Sequence, residues 1–304
     1  MSVLVVDKPV GPTSFAALKR VRRALMRASG ASERAPKLGH GGTLDPMASG
    51  VLPVCVGEAT KVIPFLLDAD KEYLAVVRFG VETDTLDATG QVLSEKPVGD
   101  LCAARLESAL ADFRGEIEQV PPMFSALKHH GQPLYRYARA GQTIARAPRR
   151  VKVHELVLLA FEPPDRARLR IRCSKGTYIR SLAADLGRHL GVGAHLAELR
   201  RTASGPFGLA QALSLDAIDA CVDEGRALPF VSLREALVHL PAVTVGDALA
   251  VRLARGQSVR WDELGAAAVE RGPLCVLLPP EVVIAVVDRG GEGAVRILRV
   301  FNVG

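Results

Sequence analysis

A chain of 304 residues, 48% hydrophobic and 24% charged, can bury a full core, suggests about two domains, and excludes general disorder. No apolar run approaches a membrane span. Val3 to Val6 is too short for a signal-peptide core, and the five cysteines show neither CxxC pairing nor His/Cys zinc spacing; both features point to the cytoplasm and away from a metal site. The net charge of +6 is modest but uneven: residues 241–304 hold seven arginines against seven acids, so the excess lies entirely in residues 1–240.

The chain opens on a short apolar strand. Ser14 then suits a helix cap, and Phe15, Leu18, Val21 and Leu25 recur at helical spacing, with Lys19, Arg20, Arg22, Arg23 and Arg27 mainly elsewhere. This predicts a helix with one apolar and one basic face. Arg27 to Lys37, rich in Ala, Ser and Gly, reads as a loop. It leads into Gly39-His40-Gly41-Gly42-Thr43-Leu44-Asp45-Pro46-Met47-Ala48-Ser49-Gly50-Val51-Leu52-Pro53-Val54, where glycines, a histidine and one acid crowd a tight turn. Two readings of Asp45 are open at this point. An aspartate before proline makes a good helix cap, whereas flanking glycines that admit a close neighbour would leave Asp45 and His40 presented from a loop.

Tyr73, Ala75, Val77 and Phe79 alternate with Leu74, Val76 and Arg78, a strand pattern that begins at the tyrosine. Glu82, Asp84 and Asp87 follow in Thr-Asp-Thr-Leu-Asp-Ala-Thr-Gly. That composition is turn chemistry, and no histidine accompanies it as a metal site would favour. Leu101 to Phe113 reads as a helix ended by Gly115. Residues 119–154 then hold seven Lys/Arg and no acid, with Phe124, His129, His130, Tyr135 and Tyr137 interleaved, which suits phosphate contacts and base stacking.

From Arg166 to Cys173, arginine alternates with apolar residues, placing Arg166, Arg168, Arg170 and Arg172 on one strand face. Ile179, Leu182, Ala183, Leu186 and Leu190 form a helical stripe closed by Gly191. Arg180 falls at the start of this helix, a poor place for a cation on dipole grounds, which favours a specific anionic partner. Leu199-Arg200-Arg201 is expected to follow a second short helical stretch, and Asp216 to Leu240 reads as helical. Leu240-Pro241 is the expected domain boundary. Beyond it, Val282 to Val287 and Ala294 to Val300 are joined by a Gly-rich hairpin signal.

The stretch from Gly39 to Val54 resembles the signature of the TruB family, the bacterial tRNA pseudouridine-55 synthases. Four further segments fall in the family's order: Asp7-Lys8-Pro9 through Thr13-Ser14, Lys71-Glu72-Tyr73, Val120-Pro121-Pro122 through Lys128, and Cys173-Ser174-Lys175-Gly176-Thr177-Tyr178-Ile179-Arg180. The likeness covers about residues 1–215. It implies an α+β fold with a mixed, largely antiparallel sheet flanked by helices in residues 1–240, an RNA-binding insertion at about 121–152, and a small PUA-like β-rich domain at 241–304. It also implies Asp45 as nucleophile, Tyr73 stacking on the target base, and Arg180 pairing with Asp45. His40, Tyr178 and Leu199 are implied to contact the target nucleotide, and Lys128, Arg146, Arg149 and Arg150 to grip RNA. The implied substrate is the T stem-loop of tRNA, handled by a monomer with no cofactor, metal, membrane or protein partner.

Two rivals stand beside this expectation. A non-catalytic RNA-binding or RNA-folding protein would use the same basic surfaces but would not need Asp45, Tyr73 and Arg180 together. A glycoside or nucleoside hydrolase would also bring an aspartate to an anomeric carbon. Such enzymes generally need a second carboxylate as acid, and the signature offers only Asp45.

Overall fold

The computed structural model describes residues 2–30, 35–265 and 272–302. The chain forms two compact units interleaved along the sequence, one of residues 1–44, 51–67 and 204–304, the other of residues 45–50 and 68–203. Among the described residues, no helix is long and apolar enough to cross a membrane. The centre of the Arg27–Lys37 loop, residues 31–34, lies outside the described residues.

In the first unit, strand β1 (Ser2–Lys8) carries Val3, Leu4, Val5 and Val6 with no exposure at all, because its neighbours cover both faces. It pairs in parallel with Leu213–Ser214 and antiparallel with Val231–Ser232. Helix α1 (Ser14–Ala28) starts one residue earlier than its sequence signal: Thr13 is the cap, accepting the Ala16 amide at 3.0 Å. Ser14 lies inside the first turn, where its buried hydroxyl donates to the Leu44 carbonyl at 2.9 Å and accepts from the Leu44 amide at 2.8 Å. The buried face is Ser14, Ala17, Leu18, Val21 and Ala24, so Phe15, expected on the apolar side, points outward at 60% exposure. Small Ala17 and Ala24 set that face by letting the helix sit close, which periodicity of large apolar residues does not show.

Strand β2 (Leu38–His40) pairs antiparallel with β3 (Ala48–Val56), whose last residues belong to the first unit and whose first three belong to the second. The C-terminal segment adds a four-stranded sheet in the order Ala242–Thr244, Leu274–Leu278, Val282–Arg289, Val295–Val300. The expected hairpin is present. Cys275, Leu277 and Val286 from this sheet, with Phe301 just past its last strand, share one core with Val3, Val5, Val51 and Cys55. Asp216 to Leu240 is not one helix: Leu215–Asp223 is helical, a loop and the short strand Val231–Ser232 follow, and Leu233–Ala236 is a single turn. Ser232 caps that turn with Glu235 in a reciprocal box, so local capping chemistry breaks the helical run.

The second unit is built on a sheet in the order Ala48–Gly50 of β3, Ala194–Ser204, β4 (Lys71–Phe79), Arg166–Cys173, Arg149–Glu162, Gly115–Gln119. The first pair is parallel, and the pairs from β4 outward to Gly115–Gln119 are antiparallel. Helices Ala103–Leu110 and Ile179–His189 cover one face, burying Leu106 and Leu110, and Ile179, Leu182 and Leu186, with Val77, Leu156, Leu169 and Ile171 on the sheet. The α+β class with a large mixed sheet is the one expected.

One sequence expectation fails in this sheet for a tertiary reason. The second short helical stretch expected before Leu199 is absent: residues 194–204 are one strand, because pairing with β3 overrides a local helical preference. The arginines of Arg166–Cys173 alternate outward as expected, on a strand interior to the sheet. Arg168 reaches Glu162 at 2.9 Å and Arg170 reaches Glu155 at 2.6 Å on the neighbouring strand, so half of that face is neutralised across the ladder.

Candidate active site

Asp45 opens a turn and not a helix. Its carbonyl accepts the Ala48 amide at 3.1 Å, Pro46 occupies the second turn position that its fixed φ suits, and β3 begins at once. The capping alternative therefore has no helix to act on. The turn is pinned by Gly50, which has φ +106° and pairs with Arg201; a Cβ there would lie 2.1 Å from the Arg201 carbonyl oxygen. Only glycine permits that approach.

Arg180 meets Asp45 at 2.8 Å, from Nη2 to Oδ2. Its side chain is 5% exposed and that of Asp45 36%, so the guanidinium is buried while the carboxylate keeps an open side. Arg180 Nη2 also donates to the Phe124 carbonyl at 2.8 Å and Nη1 to the Thr85 carbonyl at 3.1 Å. A buried guanidinium needs its donors met, and these carbonyls meet them while leaving the planar fork aimed at the acid. The misfit of a cation at a helix start is thereby resolved as the sequence suggested, by an anionic partner.

A second carboxylate faces Arg180 that sequence reading assigned to a turn alone. Asp87 Oδ2 lies 3.5 Å from Nη1, and both side chains are 5% exposed. The turn role is real as well: Asp87 Oδ1 accepts from the Thr85 hydroxyl at 2.8 Å, the Thr89 amide at 2.9 Å and the Thr89 hydroxyl at 2.6 Å. The available signal was the threonine density of Thr83, Thr85 and Thr89 around one acid, more hydroxyls than a solvated turn requires. The expected pairing of Arg180 is thus double.

Tyr73 and Tyr178 share this neighbourhood. Burial pushes the Tyr73 phenol above its ordinary range, and the charge of nearby Arg201, itself 1% exposed, pulls the other way. The nearby Asp45 charge adds to the upward push. Tyr178 is raised for the same first reason and likewise senses Asp45, Arg180 and Arg149. Lys71, at the start of β4, is lowered to about 8, first by burial and then by Arg201; its ammonium donates to the Ala69 carbonyl at 2.6 Å. Gln119, 2% exposed and absent from the sequence-based candidates, clamps the residue before the helix: the Tyr178 amide donates to its Oε1 at 2.7 Å and its Nε2 donates to the Tyr178 carbonyl at 3.0 Å. An amide side chain can satisfy both backbone groups of one residue, fixing the helix start that carries Arg180.

The remaining candidates are not gathered in this way. Leu199 is buried beside Ala48 in the parallel pair. His40 ends β2 and belongs to the first unit. Lys128 is exposed in a two-residue strand, Lys128–His129, that pairs with Gln132–Pro133, and the single-turn helix Leu134–Arg139 follows. Arg149 and Arg150 begin the long strand Arg149–Glu162 opposite Gln119 and Glu118 and are not part of a free loop. Arg146 lines a groove with Met123 and Thr143. Some of the interleaved aromatic surface is used internally: His129 packs edge-on against Tyr137 at 5.9 Å, and Arg139 sits 5.7 Å over Tyr135. Among the described residues, no group of three His, Cys, Asp or Glu could hold a metal ion.

The chain matches two family models: TruB family pseudouridylate synthase (N-terminal domain) over residues 28–179, and tRNA pseudouridylate synthase B C-terminal domain over residues 180–238. Among curated relatives, one named tRNA pseudouridine synthase B from Stutzerimonas stutzeri is 49% identical over 265 residues, covering 86% of this chain and 84% of its own. Another of that name, from Thiobacillus denitrificans, is 50% identical over 257 residues, covering 84% and 83%. A crystal structure of a Cbf5-Nop10-Gar1 complex is similar over 99% of this chain and 85% of its own, with 29% identity and a TM-score of 0.77. An H/ACA RNP bound to a substrate RNA containing 2'-deoxyuridine is similar over the same shares, with 28% identity and a TM-score of 0.74.

Proposed function

The chain belongs to the TruB family of pseudouridylate synthases, and on that footing we propose that it isomerises uridine 55 in the T loop of tRNA to pseudouridine, with Asp45 as the nucleophile. The observation that carries the residue assignment is the 2.8 Å pair between half-open Asp45 and buried Arg180. A guanidinium held by fixed carbonyls orients the carboxylate without blocking its open side.

The reaction breaks the N1–C1′ bond and forms C5–C1′; the proton lost from C5 is balanced by one gained at N1, so no oxidant, reductant or group donor enters. The carboxylate adds either to the base or to the ribose carbon, and either adduct splits one hard step into two easier ones. The target base has to leave its stack first, at a cost of a few kcal/mol. His40 is assigned the vacated space and Tyr73 the face of the extruded base. With its phenol raised above the ordinary range, Tyr73 is protonated at neutral pH and acts first as a stacking surface and hydrogen-bond partner. Lys128, Arg146, Arg149 and Arg150 are assigned to the RNA backbone, and residues 241–304 are taken as the small PUA-like module of a monomeric cytoplasmic enzyme.

Asp45→Asn tests the reading. The variant keeps shape and hydrogen-bonding capacity but loses the anion, so tRNA binding is retained and pseudouridine formation falls below detection when product nucleosides are separated and counted. An active variant, verified free of deamidation back to aspartate, overturns the nucleophile assignment.

A further inference from the structure

Helix α1 is unusual in its charge. Its fifteen residues, Ser14–Ala28, include five cations, Lys19, Arg20, Arg22, Arg23 and Arg27, and no acid. Two of the five are consumed inside the fold. Arg20 pairs with Asp216 and, at 2.6 Å, with Asp219, while Arg27 reaches Asp219 at 2.7 Å and Asp223 at 3.3 Å, all on the helix Leu215–Asp223. The remaining three, Lys19, Arg22 and Arg23, are exposed and make no ion pair among the described residues.

These three share the outward face with two apolar side chains that the core did not take. Phe15 is 60% and Met26 41% exposed. Phe15, Lys19, Arg22 and Met26 follow the i, i+4, i+7, i+11 spacing of one helical stripe, with Arg23 at its edge. The Lys19 ammonium already lies 4.8 Å over the Phe15 ring, so the aromatic face is presented beside a cation. A merely solvated face mixes both charge signs, and here the acids that the fold supplies, Asp216, Asp219 and Asp223, lie along one flank of the helix, where they pair with Arg20 and Arg27 and where Arg23 borders them.

We propose that this outward face of α1 is an RNA-binding surface, separate in sequence from the basic segment of residues 119–154, with Lys19, Arg22 and Arg23 contacting phosphates and Phe15 stacking on a base or ribose of the tRNA substrate. Charge complementarity selects the occupant. Single-sign cations around one exposed aromatic suit a nucleic-acid strand. A membrane surface would call for a broad outward apolar face, whereas the apolar face of α1 is turned into the core. The proposal rests on tRNA being the substrate, and its test is separate from that of the chemistry.

The test measures equilibrium binding of tRNA across a salt series by the wild type, by the combined K19Q/R22Q/R23Q variant and by Phe15→Ala. Each lost phosphate contact removes roughly 0.7 to 0.9 from the log-log salt slope, so the triple variant is expected to be shallower by about 2. Phe15→Ala is expected to weaken binding about tenfold with the slope unchanged, as loss of one stacking contact does. Thermal unfolding is expected to stay put in both variants, since every changed side chain is exposed. Unchanged affinity and slope in both variants overturn the proposal, as does a loss confined to poly-glutamate or to phosphatidylglycerol vesicles, which gives the face to an acidic protein or a membrane. A wild type that binds tRNA with this slope but yields no pseudouridine leaves the surface standing and overturns only the proposed reaction.

Discussion

Arg180 and Arg150 carry the same guanidinium and stand in opposite physical situations. Arg180 is buried, with two carboxylates and two carbonyls around it, and Arg150 is exposed, its nearest acid Glu118 at 3.9 Å. In the first case the protein supplies every partner, so the charge is fixed in direction and serves a neighbour in the same fold. In the second, water supplies most of the partners and is readily exchanged for another anion. A buried, fully partnered cation orients chemistry, while an exposed one of the same type sets affinity and its salt dependence. The two regions should therefore fail differently when altered.

The largest effect on stability is expected from truncating the second acid. Asp87→Ala removes the charge facing Arg180 and the acceptor of Thr85 and Thr89, and unfolding in urea should show a loss of about 3 kcal/mol, the scale for leaving a buried charge short of a partner. Glu118→Ala, on the exposed pair, should change stability by no more than about 0.5 kcal/mol. Equal losses would erase the distinction between the two regions.

Lys71 extends the contrast to a buried amine. Its folded value of about 8 lies below the ordinary 10.5, so between those values the unfolded chain binds the proton that the folded chain has released. Stability relative to Lys71→Met should therefore rise as pH climbs from about 8 towards 10.5, by up to ~3 kcal/mol, and be flat below pH 8. A difference that falls over this window would mean that the folded amine holds its proton more tightly than the unfolded one.

Arg180→Lys sharpens the comparison within the site. A lysine keeps the charge but not the fork that meets Asp45, Phe124 and Thr85 together. Single-turnover pseudouridine formation should slow by more than tenfold, about 1.4 kcal/mol in the barrier, with little change in tRNA affinity. The smallest expected effect is at the basic segment. Neutralising Arg146, Arg149 and Arg150 together should flatten the salt dependence of tRNA binding by about 2 in log-log slope, leaving turnover of bound tRNA nearly as fast. A turnover collapse in that variant would move those arginines into the chemistry.

Much of this contrast could be read before the fold was known, because it lay in local pattern. The alternation from Arg166 to Cys173 places each arginine outward, and the stripe from Ile179 to Leu190 is buried as its spacing demands. Arg180 at a helix start, where the dipole disfavours a cation, already called for an acid. What was missed were partners contributed from far along the chain. Asp87 looked like a turn residue because its threonines are local while Arg180 is more than ninety positions away. Gln119 has no signature at all, since one buried glutamine looks like any other until the residue it clamps is in place. Phe15 was expected inside because it is large and apolar, and it lies outside because Ala17 and Ala24 give the closer fit.

The sequence by itself determined the family, the strand and helix periods of its strongest segments, and the uneven spread of cations, all of which depend on residues within a few turns or strands of one another. Only the tertiary structure decided which cations are spent. The arginines of Arg166–Cys173 are partly neutralised by acids on the adjoining strand, Arg20 and Arg27 are taken by acids some two hundred residues away, and Lys19, Arg22 and Arg23 are left to the solvent. The physical reason is that charge is counted along the chain but screened and paired through space, over distances of a few ångströms that sequence separation does not encode.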